Sequence, residues 1–228
     1  MPAAPVPEPV PEDVRRLVAA ALPQVAFDGW SARVLAGAAA ETGLDLTRLR
    51  ALLPGGAVDL AAASHRLGDE AMRARLAAVD LAAMRLNVRV AFALRARIEA
   101  LPGREATRRA MALFTLPQNA GRGAALVWAT ADAIWNAVGD NATDGNWYTK
   151  RAILSAVWMS TVTFWLGDNT PGFEATHAFI NRRIADVLRF EKNKARIAPL
   201  KRLLAAIPAP LPRRDLPGLW VPEDAGNG

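Results

Sequence analysis

A chain of 228 residues that is 52% hydrophobic can bury a sizeable core as one large or two small domains, which excludes a wholly disordered protein. It has no cysteine, so disulfides, thiolate metal sites and cysteine nucleophiles are excluded together. The net charge of +6 is concentrated: residues 73–109 hold nine Arg against three acids, and residues 182–202 hold eight Lys or Arg against two. Such blocks fit an anionic partner, nucleic acid or an acidic membrane surface, or else the solvated faces of Arg-rich helices.

Residues 1–11 hold five Pro and read as a disordered, acidic tail without the apolar core of a secretory signal or the Arg-rich pattern of a transit peptide. This points to a soluble cytoplasmic protein. Every window beyond the tail reads helical, at about 12–21, 31–41, 45–53, 57–66, 70–100, 104–115, 122–138, 146–166, 172–191 and 196–206. Ala and Leu dominate and no stretch alternates as a strand does. The fold class is therefore all-α. Its expected parts are a helix-turn-helix-like region at 12–67, a ligand-binding helical domain at 68–191, a basic amphipathic helix at 192–207 and an irregular tail at 208–228.

The first part runs through FDGWS, the helix SARVLAGAAAE, the turn TGLD and the helix LTRLRALLP. This spacing, with an all-helical remainder, resembles the TetR family of repressors. A helix that reads DNA needs exposed polar and basic side chains aimed at base edges and phosphates. Here the second helix offers only Thr47, Arg48 and Arg50 before LLPGG, so the scaffold reads as one that has lost DNA reading.

Further along, Asp144 can cap the helix that begins near Asn146, and Thr170 offers a capping hydroxyl before Pro171. Asp132 falls mid-helix among Ala, Trp and Ile; if buried, its charge needs a partner, and Arg151 on the next helix is the candidate. A catalytic inventory is missing. The two His, His65 and His177, are far apart, and Glu174–His177 is a single Glu-x-x-His where a di-iron bundle needs two. No phosphate loop, dinucleotide fingerprint or nucleophile elbow is present, so no catalytic residue, metal or cofactor is assigned.

The aromatic residues carry more. Ala152 to Leu166 is 15 residues without a charge, too short for a bilayer span of about 20. Leu154, Trp158, Thr161 and Trp165 share one face of it, and Trp128 and Trp135 lie a heptad apart on the helix before. Large side chains set among Ala, Ser, Thr and Gly fit a plain core or the walls of an apolar cavity equally well. Trp147, Tyr148 and Arg151 open a helix beside a polar turn and are of the types enriched in binding hot spots. In the last helix, Ile197, Leu200 and Leu204 share a face while Lys194, Lys201 and Arg202 lie around the other sides. That pattern fits a membrane interface, packing on the domain, or a partner.

The stretch GD-x-x-TD-x-NWYTKR-x-x-L, followed by T-x-x-x-x-L-x-D-x-(S/T)-P-x-F-x-x-T-x-x-F-x-x-x-R-I, resembles the ubiquinone-biosynthesis accessory family known as coenzyme Q protein nine. Good matching covers about residues 124–188. The resemblance implies a TetR-like, homodimeric, non-enzymatic protein that holds an isoprenoid quinone or phospholipid in an apolar pocket. It also implies that the protein assists the demethoxyubiquinone hydroxylase. Carried over by motif, Asp144, Trp147, Tyr148 and Arg151 form the hydroxylase-binding surface, and the helices bearing Trp128, Trp135, Trp158 and Trp165 flank the lipid. The expected setting is bacterial and cytoplasmic, peripheral to the inner membrane. Rival readings are a TetR-type ligand-responsive DNA-binding regulator and, lowest, an enzyme acting on an isoprenoid.

Overall fold

The helical windows fold as nine α-helices among the residues described, 8–139 and 145–193, in a computed structural model. They are α1 (Glu12–Asp28), α2 (Ala32–Thr42), α3 (Leu46–Leu52), α4 (Ala57–Ala77), α5 (Leu86–Glu99), α6 (Arg104–Thr115), α7 (Pro117–Ala137), α8 (Gly145–Trp165) and α9 (Glu174–Asn193). A single 3₁₀ turn, Pro171–Phe173, precedes α9. Residues 1–185 form one compact unit and 186–228 a second. Of the latter only the end of α9 is described, where Arg189 lies 3.8 Å from Asp186.

In the first unit α1 buries Val14, Leu17, Val18, Ala21 and Val25 against Val34, Leu35 and Ala38 of α2, Leu49 of α3 and Leu60 of α4. Each large apolar side chain buried there is worth roughly 1.5–3 kcal/mol. The start of α2 and the turn between α2 and α3 have a local cause at each point. Ser31 accepts from the Val34 amide, Gly43 takes a left-handed φ of 70° to end α2, and Asp45 accepts from the Thr47 and Arg48 amides at 2.9 Å. α4 is the central element, packing on α1, α2, α5 and α7.

Several boundaries differ from those expected. α1 runs through Pro23 because Ala21 and Val25, on either side of the ring, are both fully buried. The windows 57–66 and 70–100 become α4 and α5 with a break at 78–85 that no proline or glycine marks. Arg89 holds that break, donating to the carbonyls of Ala82, Met84 and Val138. The supposed tail is docked at its end: Val10 is buried and its amide donates to Glu70 at 2.7 Å. The Arg-rich block 73–109 is not a uniformly solvated face. Arg97 is fully buried on Asp69, Arg75 pairs with Glu99, Arg95 with Asn181, and Arg108 and Arg109 with Glu105.

Candidate functional site

On α8, Ala152, Ser155, Ala156, Met159 and Val162 follow helical spacing, and the short side chains of Ala152, Ser155 and Ala156 leave space toward α6 and α7. Across from them Gly123 and Ala124 of α7 are equally short. A Cβ on Gly123 would sit 2.7 Å from the Phe114 Cβ, so α6 and α7 meet closely there. What remains is a cavity of about 580 Å³, closed further by Trp30, Met111, Phe114, Trp128 and Trp158. Its size and apolar walls fit a lipid-like or drug-sized ligand.

Of the six residues expected to face lipid, Trp128 and Trp158 line this cavity. The other four lie off it, for reasons of helix register. Leu154, Thr161 and Trp165 belong to the fully buried face of α8, beside the cavity face. The Thr161 hydroxyl donates to the Val157 carbonyl at 2.7 Å, and Trp165 packs on Phe173, centroids 5.8 Å apart, beneath Arg104. Trp135 clamps α7 to the start of α8, its indole N–H donating to the Lys150 carbonyl at 3.0 Å. Its spacing of seven from Trp128 placed both on one helix stripe, but only Trp128 reaches the cavity.

One wall of the cavity is polar, and local patterning hardly marks it. Arg97 donates from Nε to Asp69 at 2.7 Å and from Nη2 to the His65 carbonyl at 3.0 Å, and stacks over Trp158 at 5.0 Å. Thr130 donates to Asp69 at 2.8 Å, so its oxygen accepts from His65 Nε2 at 2.9 Å, which leaves Nδ1 as a hydrogen-bond acceptor. Burial first, and the Arg97 cation second, push His65 down to about 4 against the opposing pull of Asp69. The imidazole is therefore neutral near neutral pH. One signal was available: Gly68, in mid-helix, where any Cβ would collide with the Arg97 guanidinium.

At one side of the cavity Trp128 meets the residues expected to bind a partner. Its ring lies 5.9 Å from Trp147 and 6.3 Å from Tyr148, which contact each other edge-on at 4.7 Å. Tyr148 is exposed and Trp147 half-buried. Arg151 departs from its expected place on that surface, being 1% exposed. Its guanidinium lies under the Trp147 ring at 3.9 Å, donates to Asp132 at 2.5 Å and reaches Asn136 at 3.1 Å. It supports the aromatic pair from behind. Asp144, and the expected membrane-contact residues Lys194, Ile197, Leu200, Lys201, Arg202 and Leu204, lie outside the described residues.

The α8–α9 corner rests on Asp168, the carboxylate of the L-x-D-x-(S/T)-P motif. Burial alone would push its carboxyl up, but the hydroxyls and amides of Thr170 and Thr176, at 2.6–2.8 Å, outweigh that and hold it well below the usual carboxylate range. Thr170 precedes the 3₁₀ turn without a side-chain cap bond there, and its hydroxyl instead accepts from the Ala175 amide in the first turn of α9 at 3.0 Å. Among the described residues no group of three or more His, Asp or Glu is placed to hold a metal ion, and no helix is long and apolar enough to cross a membrane.

Comparison with known proteins bears on both the fold and the family. The chain superposes on the crystal structure of a TetR transcriptional regulator from Nitrosomonas europaea with a TM-score of 0.61 at 16% identity. The match covers 75% of this chain and 95% of that one, so the all-α fold is TetR-like. A family model described as COQ9 matches residues 120–191. The ubiquinone biosynthesis protein COQ9, mitochondrial, of Rattus norvegicus is 30% identical over 181 residues, 76% of this chain and 58% of that protein. The proteins of the same name from Homo sapiens and Schizosaccharomyces pombe are 36% and 35% identical over 80 and 74 residues. Those matches cover 35% and 32% of this chain, and 25% and 30% of theirs. The chain thus spans less than two thirds of the curated relatives it matches. The matched segment holds most of α7, all of α8 and most of α9, the helices that carry Trp128, Trp147, Tyr148 and the cavity face of α8, and it is over these helices that the chain is similar to the COQ9 family.

Proposed function

We propose that this protein is a non-enzymatic, lipid-binding accessory protein of ubiquinone biosynthesis. It holds an isoprenoid quinone intermediate or a phospholipid in the α6–α7–α8 cavity and presents the quinone to the demethoxyubiquinone hydroxylase. The observation that carries this reading is the position of Trp128, at once a wall of the cavity and a member of the Trp147–Tyr148 cluster. A bound lipid and a docked hydroxylase would thus lie on two sides of one indole. Homodimer formation and peripheral membrane contact through residues 192–207 belong to the same proposal.

The DNA-binding alternative draws on fold alone. Arg48 of α3, one of two basic residues the reading helix offers, is 3.3 Å from Asp13 of α1, which lessens its reach toward phosphate. Organic extraction of the purified protein followed by mass spectrometry tests the lipid reading. An isoprenoid quinone or phospholipid in near-stoichiometric amount is expected; a lipid-free protein that takes up neither from vesicles would overturn it.

A further inference from the structure

Between residues 73 and 89 the chain carries four Arg and a single acid, Asp80. Of the four, only Arg75 finds a carboxylate, that of Glu99. Arg89 donates to the carbonyls of Ala82, Met84 and Val138, which hold its charge in place without neutralising it. Among the described residues Arg73, one turn from the end of α4, and the exposed Arg85, just before α5, form no ion pair. Asp80 turns its carboxylate to the Ala82 amide at 3.0 Å. The α4–α5 corner thus carries three Arg without a carboxylate partner.

A solvated basic face would explain these charges but not the side chains set among them. Leu86 is 48% and Val88 46% exposed, and Ala78, Ala82 and Ala83 are exposed in the break before them. Aliphatic groups and unpaired guanidinium groups therefore share one short exposed stretch. Its shape is also fixed, because Arg89 ties the break to the end of α7 through Val138. A partner would not have to order it on binding.

We propose that the α4–α5 corner is a membrane contact. Arg73 and Arg85 meet the phosphates of an anionic phospholipid surface while Leu86 and Val88 enter its interface. This contact is additional to the one proposed through residues 192–207 and does not depend on it.

Composition favours lipid over nucleic acid. Interfacial binding grows with buried apolar area and with attraction to anionic head groups, and the corner offers both. A nucleic-acid surface sets polar and aromatic groups among its cations. Here the exposed residues from Ala78 to Val88 are Ala, Leu, Val and Arg, with Asp80 and Asn87 the only others. Each Arg brought to an anionic surface strengthens binding by about five-fold, an effect that salt screens.

The full chain, titrated with phosphatidylcholine vesicles with and without phosphatidylglycerol, tests this. The parent protein is expected to bind the anionic vesicles alone and to release them as salt rises. Arg73→Gln with Arg85→Gln is expected to weaken binding by about five- to thirty-fold. Leu86→Ser with Val88→Ser is expected to weaken it at unchanged charge, with helical content preserved in circular dichroism. The chain has no cysteine, so Leu86→Cys accepts a single environment-sensitive dye, which should brighten on the vesicle. The same dye on Leu46→Cys of α3, where the native side chain is 64% exposed, should not. Unchanged affinity in either double variant, a dye at position 86 that stays dim, or equal brightening at both positions would overturn the corner as a contact. Binding lost only in the triple variant Lys194→Gln, Lys201→Gln, Arg202→Gln would do the same and leave residues 192–207 as the contact. Tighter binding to duplex DNA than to anionic vesicles, lost in the Arg variant, would overturn lipid as the partner. A parent protein that binds neither vesicle would overturn both membrane contacts.

Discussion

Arg151 of α8, with 1% of its side chain exposed, donates through Nε to Asp132 of α7 at 2.5 Å, and Asp132 in turn accepts from Asn136 at 3.0 Å. This bridge fixes the rotation of α8 against α7 and thus the positions of Trp147 and Tyr148. Removing one partner of such a pair strands a buried charge, a loss of roughly 3–5 kcal/mol, less where the pair is partly solvated as Asp132 is. Asp132→Asn should therefore destabilise the fold by about 2–4 kcal/mol in urea unfolding. The double variant Asp132→Asn, Arg151→Met should regain much of that, since the buried cation is removed together with its carboxylate partner. An unchanged urea midpoint for Asp132→Asn would show that the bridge does not hold the helices.

Gly68 offers a prediction of opposite sign to helix propensity. In an unconstrained helix interior Gly→Ala gains about 1 kcal/mol. Here the new methyl meets the guanidinium of Arg97, itself pinned by Asp69 and Trp158. Gly68→Ala should lower Tm, and a Tm that rises would mean Arg97 can move aside at little cost.

The depressed pKa of His65 makes stability depend on pH. Its folded value of about 4 lies below the ordinary 6.5, so between those values the unfolded chain binds the extra proton. The contribution is therefore complete above pH 6.5, falls as pH drops toward 4 and levels off below. At 1.36 kcal/mol per unit the whole change is roughly 3 kcal/mol. Urea unfolding at pH 7.5, 5.5 and 4.5 should show the decline, and His65→Gln should flatten it relative to the parent protein. His177, whose value is also lowered by burial and by Arg95, is present in both proteins and cancels in the comparison.

On the surface, Trp147→Ala with Tyr148→Ala should abolish co-purification of the hydroxylase while the helical content stays at the parent level. Undiminished co-purification would remove the aromatic pair from the docking site. A single Arg151→Ala should weaken docking and stability together, because that residue acts from beneath.

Periodicity made the helices legible, and the charge-free stretch of α8 marked the helix that faces the cavity. Motif residues led to Trp147 and Tyr148, helical spacing led to Trp128, and the pairing of Asp132 with Arg151 followed from the need to neutralise a mid-helix carboxylate. Two things were hidden, both for physical reasons. The face of α8 that lines the cavity is recognised by what is small, Ala152, Ser155 and Ala156, whereas the eye follows the large residues, of which Leu154, Thr161 and Trp165 serve packing. The Asp69–Arg97–His65–Thr130 network joins residues up to 65 positions apart, and no local pattern encodes such a meeting.

Because Trp128 borders both the cavity and the Trp147–Tyr148 pair, a ligand in the one and a protein docked on the other would be linked through that indole. If a ligand shifts that indole and changes the affinity for a docked protein by some factor, docking must change the affinity for the ligand by the same factor. A loaded carrier that attracts its acceptor less than an empty one would bind a ligand that the acceptor, on arrival, loosens. A carrier of the opposite sign would grip its cargo harder on docking and need the acceptor's own site to win it away. Which sign this chain has is a single ratio, set by how Trp128 rests between its two neighbours.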